Sequence, residues 1–371
     1  MTRAGFGHAV ITPPVPVQLA GFGDRHAPAT RVHDDLEARA VWLSDGGTAV
    51  CLVVCDLLGM SAEFADPVRD AVGDALGLGR DRVLTACTHT HAGPSAIAGA
   101  ERLGWPTPDG YDRILTDGCV AAAAAARDGA EEVELRYVRA PLPDGLSINR
   151  RGLPYDPSFA LLDARRADRT TVGTLANIAI HPVALGPACL AVSTDWVGPF
   201  RRLLEATHGG TTVLLSGALG DVNPRPHEHP DEHGDFDEAQ QLGEHIAAAT
   251  LEVLPAAEPV PDGVRVVAHR VIDGPLGETP LTMLLGTSGP LPVELVEWEI
   301  GDIRFVSVPG EAFCAFGRAV EDARAGRVLM AGLSPVWQGY LPQPFGEGYE
   351  ESVGYGEPFV LAVLHALLEV P

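Results

Sequence analysis

The order of apolar and polar positions predicts a chain in which β-strands and α-helices alternate. Apolar runs at residues 36–44 and 48–57 flank the turn Asp45-Gly46-Gly47, a pattern typical of a β-hairpin. A helical apolar stripe follows, for which Asp66-Pro67 indicates the cap and the first turn. Residues 83–87 are again a short apolar run. The order hairpin, helix, strand is therefore predicted for this part of the chain.

The same pattern continues to the end of the sequence. Further helices are predicted at 111–127, 196–207, 239–253, 312–324 and 358–370, and further strands at 133–138, 159–163, 172–180, 211–216, 264–272, 293–300, 303–308 and 328–332. Residues 5–23 contain four glycines and the pair Pro13-Pro14, and they are predicted to be irregular. Because no internal repeat or linker divides the sequence, we expect a single domain over residues 1–371.

Composition indicates an acidic globular protein. Hydrophobic residues make up 46% and charged residues 20% of the sequence, values that exclude a disordered chain. The formal net charge of −24 argues against nucleic acids and anionic membranes as partners, since both attract Lys and Arg. Neither a secretion signal nor a membrane-spanning apolar run is evident, so we expect a cytoplasmic protein without stable membrane anchoring. The six cysteines, which include no Cys-x-x-Cys pair, are expected to be free thiols.

Two histidines follow the predicted strand at residues 83–87. His89 and His91 are separated by one residue, so their side chains point to the same face if the segment is extended. Two imidazoles in this arrangement can both bind a metal ion, or one can bind it while the other transfers protons. The spacing alone leaves both possibilities open.

Three more predicted strands end in residues that can bind a metal or orient one of its ligands. These residues are His181, Asp221 and Glu311. Open α/β sheets gather their ligand sites at the carboxyl ends of strands, and two histidines with one carboxylate form a common catalytic zinc set. The structural alternative is that His181 is an ordinary loop histidine and that Glu311 complements a helix dipole.

An acidic loop at residues 227–235 contains three further histidines, His227, His229 and His233. It is a weaker candidate for an accessory metal site, because no predicted helix or strand fixes its side chains. The sequence contains neither a phosphate-binding loop nor a Gly-x-Ser-x-Gly nucleophile motif.

At these positions the sequence resembles the neutral/alkaline (non-lysosomal) ceramidase family, specifically its N-terminal catalytic domain. The matching motifs follow one another along nearly the whole chain. They are Gly7-His8-Ala9-Val10-Ile11-Thr12-Pro13, Thr88-His89-Thr90-His91-Ala92-Gly93-Pro94, Asn149-Arg150, His181-Pro182-Val183, Ser193-Thr194-Asp195, Gly220-Asp221-Val222-Asn223-Pro224, Pro309-Gly310-Glu311, and Gly339-Tyr340 with Tyr349-Glu350. The resemblance implies an α/β fold of mixed β-sheets flanked by helices, with the active site at the strand C-terminal ends.

The resemblance also implies a zinc-dependent hydrolase that cleaves a linear amide, an N-acyl amine, by attack of metal-activated water. By position, one zinc ion per chain would be bound by His89, His181, Glu311 and Tyr340, and His91 would pass a proton to the leaving amine. The other positions implied by the family motifs are Arg150 and Tyr349 at the substrate or the oxyanion, Asn149 and Asn223 at the substrate, and Asp195 and Asp56 in support of the ligand histidines.

Two departures from the family pattern narrow the expected substrate. The family's serine in Gly-Asp-Val-Ser-Pro is Asn223 here, and an amide cannot act as a nucleophile, which favours attack by water. The resemblance does not extend to the family's C-terminal immunoglobulin-like domain, and we expect a short form without it. We therefore expect a cytoplasmic bacterial amidase with a small soluble substrate rather than membrane ceramide. The alternatives are an acyltransferase or cyclase, an esterase or lactonase, and a non-catalytic metal-binding homologue.

Overall fold

The computed structural model describes residues 1–225, 234–286, 288–346 and 348–369. Within these residues the chain forms three β-sheets of four or five strands, three two-stranded sheets and eight α-helices. The first sheet consists of β1 (Arg3–Val10), β3 (Glu37–Ser44), β4 (Ala49–Cys55), β5 (Val83–Cys87) and β6 (Glu131–Glu132), in the order β5-β4-β3-β1-β6.

The second sheet follows the first along the chain, and both contribute side chains to the same core. It consists of β7 (Glu134–Pro141), β9 (Ser158–Arg165), β10 (Thr171–Ile178), β12 (Thr211–Ser216) and β14 (Glu258–Pro259), in the order β12-β10-β9-β7-β14. The third sheet consists of β15 (Val264–Gly274), β16 (Leu291–Ile300), β17 (Ile303–Val308) and β19 (Arg327–Gly332), in that order. The two-stranded sheets pair β2 (Arg31–Val32) with β11 (Ala191–Val192), β8 (Ser147–Asn149) with β13 (Val222–Pro224), and β18 (Glu311–Ala312) with β20 (Tyr340–Leu341).

The helices cover the sheets. They are α1 (Ala62–Leu76), α2 (Tyr111–Asp128), α3 (Val197–His208), α4 (Phe236–Val253), α5 (Pro280–Leu285), α6 (Cys314–Asp322), α7 (Tyr349–Ser352) and α8 (Glu357–Leu368). The pair α1 and α2 packs on the first sheet, α3 and α4 pack on the second, and α6 and α8 pack on the third. No helix in the described ranges is both long and apolar enough to cross a membrane. These mixed sheets flanked by helices confirm the predicted α/β class.

A central core lies between the three large sheets. Leu52 of the first sheet, Leu162 of the second and Trp298 of the third belong to one cluster of buried side chains. Because β4 and β5 are covered on both faces, their sequences are apolar almost throughout. Each large sheet also contains one parallel strand pair. It is β4 with β5 in the first sheet, β10 with β12 in the second, and β17 with β19 in the third.

The N-terminal residues differ from the prediction of irregular structure. Residues 3–10 form β1, which pairs with both β3 and β6. The glycines that suggested a loop are needed because α2 packs directly on this strand. A Cβ atom at Gly5 would lie 1.8 Å from the carbonyl oxygen of Ala126, and one at Gly7 would lie 2.3 Å from that of Ala122. Glycine therefore marks a close backbone contact here rather than a turn.

The first helix also begins earlier than predicted. It starts at Ala62 with Ser61 as the N-cap residue, so Pro67 lies inside the helix. The amides of Phe64 and Ala65 both donate to the carbonyl oxygen of Ser61, which completes the first turn without Asp66. The cysteines agree with the prediction, since all six are free thiols and four of them are buried.

Replacement of Gly5 by alanine is expected to destabilise the fold by roughly 3 kcal/mol, since the added carbon overlaps the backbone of α2. Urea unfolding followed by circular dichroism measures this loss. The matched control is Gly47→Ala in the hairpin turn, where the nearest atom to the added carbon is Oδ1 of Asp45 at 3.5 Å. An equally small change in both variants would contradict the assignment of Gly5 to a helix-packed strand.

Candidate metal centre and its cavity

Each large sheet delivers one side chain to the same point. His89 follows β5 of the first sheet, His181 follows β10 of the second, and Glu311 follows β17 of the third. The Nε2 atom of His89 lies 3.2 Å from Oε2 of Glu311, and the Nε2 atom of His181 lies 3.4 Å from the same oxygen. All three side chains are buried. The structure thus brings together three residues that the sequence places 92 and 130 positions apart, by subtraction of their residue numbers.

Backbone carbonyls hold the two rings in place. The Nδ1 atom of His89 lies 2.6 Å from the carbonyl oxygen of Leu58, and that of His181 lies 3.1 Å from the carbonyl oxygen of Val222. An Nδ1–H group that donates to a carbonyl leaves Nε2 with a free lone pair. Both lone pairs are therefore available at the point where Glu311 ends, as in metal-binding histidines with a backbone partner.

The local backbone differs from the extended geometry expected for His89 and His91. His89 has φ 73°, a left-handed conformation that a residue with a side chain rarely adopts. The two rings nevertheless approach each other, with their Nε2 atoms 3.4 Å apart. One ring nitrogen from each of His89, His91 and His181 lies within 4.8 Å of the others, so this group can bind a metal ion.

Two buried atoms of the cluster test whether a cation fits. Among the described residues, Nε2 of His181 and Oε2 of Glu311 have no hydrogen-bond partner. Buried polar atoms without a partner are costly, and a cation between them would satisfy both. The other carboxylate oxygen of Glu311, Oε1, accepts a hydrogen bond of 2.9 Å from Nε1 of Trp337. The carboxylate is thereby fixed with one oxygen free for a metal.

The protonation states also suit metal binding. Burial lowers the pKa of His181 to about 4. Burial, together with His89 and His181, lowers the pKa of His91 well below its usual value. Burial alone would raise the pKa of Glu311, but the contacts with His89 and His181 lower it well below its usual value. At neutral pH His91 and His181 are therefore neutral and Glu311 is ionised, the forms that bind metals.

Tyr340 and Tyr349 lie beside the cluster. Tyr340 is opposite Glu311 in the short parallel sheet of β18 and β20, and its hydroxyl lies 3.3 Å from that of Tyr349. Burial raises the pKa of Tyr340 well above its usual value, and the charge of Glu311 raises it further. The phenol is therefore neutral unless a cation lies next to it.

Arg150 is held over the two tyrosine rings, 5.6 Å from the centre of Tyr340 and 5.1 Å from that of Tyr349. Its Nε donates to Oε1 of Glu350 at 3.0 Å, and its Nη1 donates to Oδ1 of Asn223 at 3.2 Å. Burial lowers the pKa of Arg150, but the two tyrosines and Glu350 raise it overall, so the guanidinium stays charged. The motif resemblance included Glu350, but no role was predicted for this buried partner of Arg150.

The candidate metal ligands, Arg150 and Tyr349 line one cavity of about 450 Å³. This volume is common for small-molecule sites. Its polar lining residues are Asp24, His89, His91, Arg150, His181, Asn223, Glu311, Tyr340 and Tyr349. Its apolar lining residues are Phe22, Leu58, Leu103, Trp105, Val183, Leu281, Trp337 and Val353. The cavity therefore has a polar part at the candidate metal centre and a largely apolar remaining wall.

Asn149 is not among the described residues that line the cavity, and its contact with a substrate stays a prediction. Its Nδ2 donates to Oδ2 of Asp221 at 2.6 Å, and its Oδ1 accepts from the amide of Arg151. The other carboxylate oxygen of Asp221 accepts from the amide of Cys314 at 2.8 Å. Both side chains thus connect the loops that carry Arg150 and Glu311 and hold them in place.

Asp56 and Asp195 hold backbone near the histidines rather than the imidazole rings. Asp56 accepts hydrogen bonds from Oγ1 of Thr88 at 3.2 Å and from Nη2 of Arg201 at 2.7 Å. Asp195 accepts from the amides of residues 184 and 185, at 3.2 and 2.9 Å, and burial raises its pKa to about 6. Backbone carbonyl oxygens face the Nδ1 atoms of His89 and His181, so support of the ligand histidines by Asp56 and Asp195 stays a prediction. The predicted accessory site at residues 227–233 lies outside the described ranges.

Trp337 has a contact that no sequence pattern indicated. Replacement of Trp337 by phenylalanine keeps an aromatic ring but removes the N–H donor to Glu311, so metal affinity is expected to fall roughly tenfold. Competition with a chromophoric chelator measures the dissociation constant. The control is Trp105→Phe, since Trp105 also lines the cavity but donates to the carbonyl oxygen of Phe22. Equal metal affinity in both variants would contradict the role of the Trp337 indole.

Comparisons with known proteins identify the fold. No family model and no curated protein sequence matches the chain. The structure is similar to that of neutral ceramidase from Pseudomonas aeruginosa, with a TM-score of 0.83, 18% sequence identity, and coverage of 100% of this chain and 74% of that chain. A second solved structure, of a ceramidase complexed with C2, gives a TM-score of 0.82 and 17% identity with the same coverage. The neutral ceramidase-like fold that the motifs predicted is thereby confirmed.

Proposed function

We propose that this protein is a zinc-dependent hydrolase of linear amides, with an N-acyl amine as its substrate. The observation that carries this proposal is the buried convergence of His89, His181 and Glu311 in a cavity that Arg150 and Tyr349 also line. The neutral ceramidase-like fold and the ordered motifs support the same chemistry. Neither would suffice alone, because one fold can host several activities.

The donor atoms of the cluster favour zinc. Imidazole nitrogens and a carboxylate oxygen, with one position left open, are the ligands of many catalytic zinc sites. We propose His89, His181, Glu311 and Tyr340 as the four protein ligands. A zinc ion in this place would lower the pKa of a water molecule and polarise the amide carbonyl. The buried phenol of Tyr340 would release its proton next to such a cation.

His91 is proposed to carry the proton. Its Nε2 lies 3.4 Å from Nε2 of His89, inside the cluster, while its Nδ1 is buried and has no hydrogen-bond partner among the described residues. The Nδ1 atoms of His89 and His181, in contrast, face backbone carbonyls. An imidazole whose tautomer is not fixed can accept a proton from the attacking water and then donate it to the leaving amine.

Arg150, Tyr349 and Asn223 are proposed to hold the carbonyl group of the substrate. The buried guanidinium of Arg150 cannot turn freely, because Glu350 and the carbonyl oxygen of Gly220 accept two of its N–H groups. A fixed positive charge and the hydroxyl of Tyr349 would stabilise the negative charge that develops on the carbonyl oxygen. Asn223 lines the same part of the cavity and contacts Arg150.

The cavity supports a small substrate with one apolar substituent. Its volume of about 450 Å³ and its apolar wall favour a short or medium acyl chain over a membrane lipid. The free cysteines support action in a reducing compartment, which we propose to be a bacterial cytoplasm.

The proposal is tested with metal-free protein that is reloaded with zinc, manganese or iron. Each form is incubated with N-acyl amines whose acyl chains range from acetyl to palmitoyl, and with the corresponding esters and lactones. We expect amide hydrolysis that requires the metal, prefers the shorter chains and places one oxygen of labelled water in the acid product. Hydrolysis of esters alone, or acyl transfer to an added amine in preference to water, would replace the proposed reaction. No turnover with any metal would end the enzyme proposal.

A further inference from the structure

Residues 20–25, which precede β2, lie directly on His91. Gly21 has φ 107°, and a Cβ atom there would lie 2.5 Å from both Cγ and Nδ1 of His91. The ring of Phe22 lies 4.9 Å from the His91 ring and is tilted by 60°. The 20–25 segment therefore contacts the imidazole through both its backbone and an aromatic side chain.

Arg25 anchors this segment. Arg25 is 4% exposed, and its guanidinium forms no ion pair with any carboxylate in the described part of the chain. It donates instead to four carbonyl oxygens, those of Ala20, His91, Gly186 and Pro187, and the bond to His91 is the shortest at 2.6 Å. A buried cation without a carboxylate partner is costly, so its position calls for an explanation beyond stability.

The contacts of Arg25 connect three separate stretches of chain at His91. These stretches are the 20–25 segment, the turn that contains His91, and residues 186–187, which follow the loop of His181. The guanidinium also lies 4.9 Å from the centre of the Phe22 ring, a favourable cation–π distance. Arg25, Phe22 and His91 thus form a continuous packed series that ends at the cavity, which Phe22 lines.

We propose that Arg25 is a positioning residue that fixes the imidazole of His91, with Gly21 and Phe22 as the contact surface. The inference rests on the proposed function, in which His91 carries the proton. Because Nδ1 of His91 has no hydrogen-bond partner among the described residues, packing by the 20–25 segment sets the direction of the ring. Without Arg25 the segment loses its anchor, and the ring is free to turn away from the substrate.

The kinetics of amide hydrolysis by metal-loaded protein test the proposal, with Arg25→Met and Arg25→Lys as variants. For Arg25→Met we expect kcat to fall about 100-fold while KM changes by less than about twofold, because a displaced proton carrier weakens only the chemical step. Metal content is expected to stay unchanged. Arg25→Lys keeps the charge but cannot reach all four carbonyls, so kcat is expected to fall about tenfold.

The matched control is Arg69→Met. Arg69 is as buried as Arg25 and also donates to two backbone carbonyls, but its guanidinium pairs with Glu294 away from the cavity. Its loss is expected to lower stability and to leave kcat unchanged. If Arg25→Met fails to fold, Gly21→Ala tests the same contact, because the added carbon would displace the His91 ring directly. A Gly21→Ala variant with wild-type kcat would then overturn the proposal.

A measurement without substrate separates this inference from the proposed function. The rate at which diethyl pyrocarbonate modifies His91 in metal-loaded protein is followed by peptide mass spectrometry. We expect modification about tenfold faster in Arg25→Met than in the wild type or Arg69→Met, since the ring loses its packing. An unchanged rate together with an unchanged kcat would overturn the positioning role. If the wild type cleaves no amide, the proposed function fails, and the modification rate alone decides whether Arg25 fixes the ring.

Discussion

Simultaneous replacement of His89 and His181 by alanine is expected to reduce bound zinc from about one ion per chain to a small fraction of that value. The two rings supply the Nε2 atoms next to Oε2 of Glu311, and their Nδ1 atoms are already engaged by backbone carbonyls. Glu311 and Tyr340 alone would leave an incomplete set of ligands. Inductively coupled plasma mass spectrometry of tag-free protein measures the metal content directly.

The metal should also stabilise the folded wild type. A ligand present at 100 times its dissociation constant contributes about 2.7 kcal/mol to the free energy of unfolding. Addition of zinc is therefore expected to raise the melting temperature of the wild type and to leave that of the double variant unchanged. The matched control is His245→Ala/His365→Ala, which removes the same number of histidines from exposed positions. Metal retained in the His89/His181 variant but lost in this control would contradict the proposed centre.

The sequence predicted most elements of the fold because their signals are local. The hairpin around residues 45–47 was predicted from two apolar runs and a turn with two glycines. Its strands are β3 and β4 in the structure. The strand β1 was missed because Gly5 and Gly7 are determined by the distant helix α2. A close contact between elements more than a hundred residues apart leaves no periodic pattern in either one.

In the candidate site, too, local signals could be predicted and contacts between distant residues could not. His89, His181 and Glu311 could be singled out because each directly follows a strand, and strand ends of an α/β fold converge. Tyr340 was accessible only through the resemblance to a family. Trp337 and Arg25 were not predicted, since their roles depend on single hydrogen bonds to Glu311 and His91 that only the folded chain creates. Sequence patterns therefore fail to show residues that lie far from the site in the sequence and support it through single contacts.

Replacement of His91 by alanine is expected to lower kcat roughly 100- to 10,000-fold, the usual contribution of a general acid or base, while zinc content stays near that of the wild type. The physical reason lies in the surroundings of the two ring nitrogens. Nε2 faces the cluster, and Nδ1 has no hydrogen-bond partner among the described residues. Burial, together with His89 and His181, lowers the pKa of His91 well below its usual value, so the ring is neutral at pH 7, the form that has a free nitrogen for a proton. Hydrolysis rates at saturating substrate, measured beside metal content, check both parts of this expectation.

Added imidazole provides the decisive control, because the alanine variant leaves space where the ring was. If His91 transfers a proton, imidazole or a similar base in solution should restore part of the lost turnover without changing the metal content. If His91 is instead a third imidazole ligand beside His89 and His181, the variant should lose zinc, as the short distances within this group allow. Zinc loss in His91→Ala would therefore reassign the residue to the metal centre, and the proton would require a different carrier. Unchanged turnover would exclude both roles.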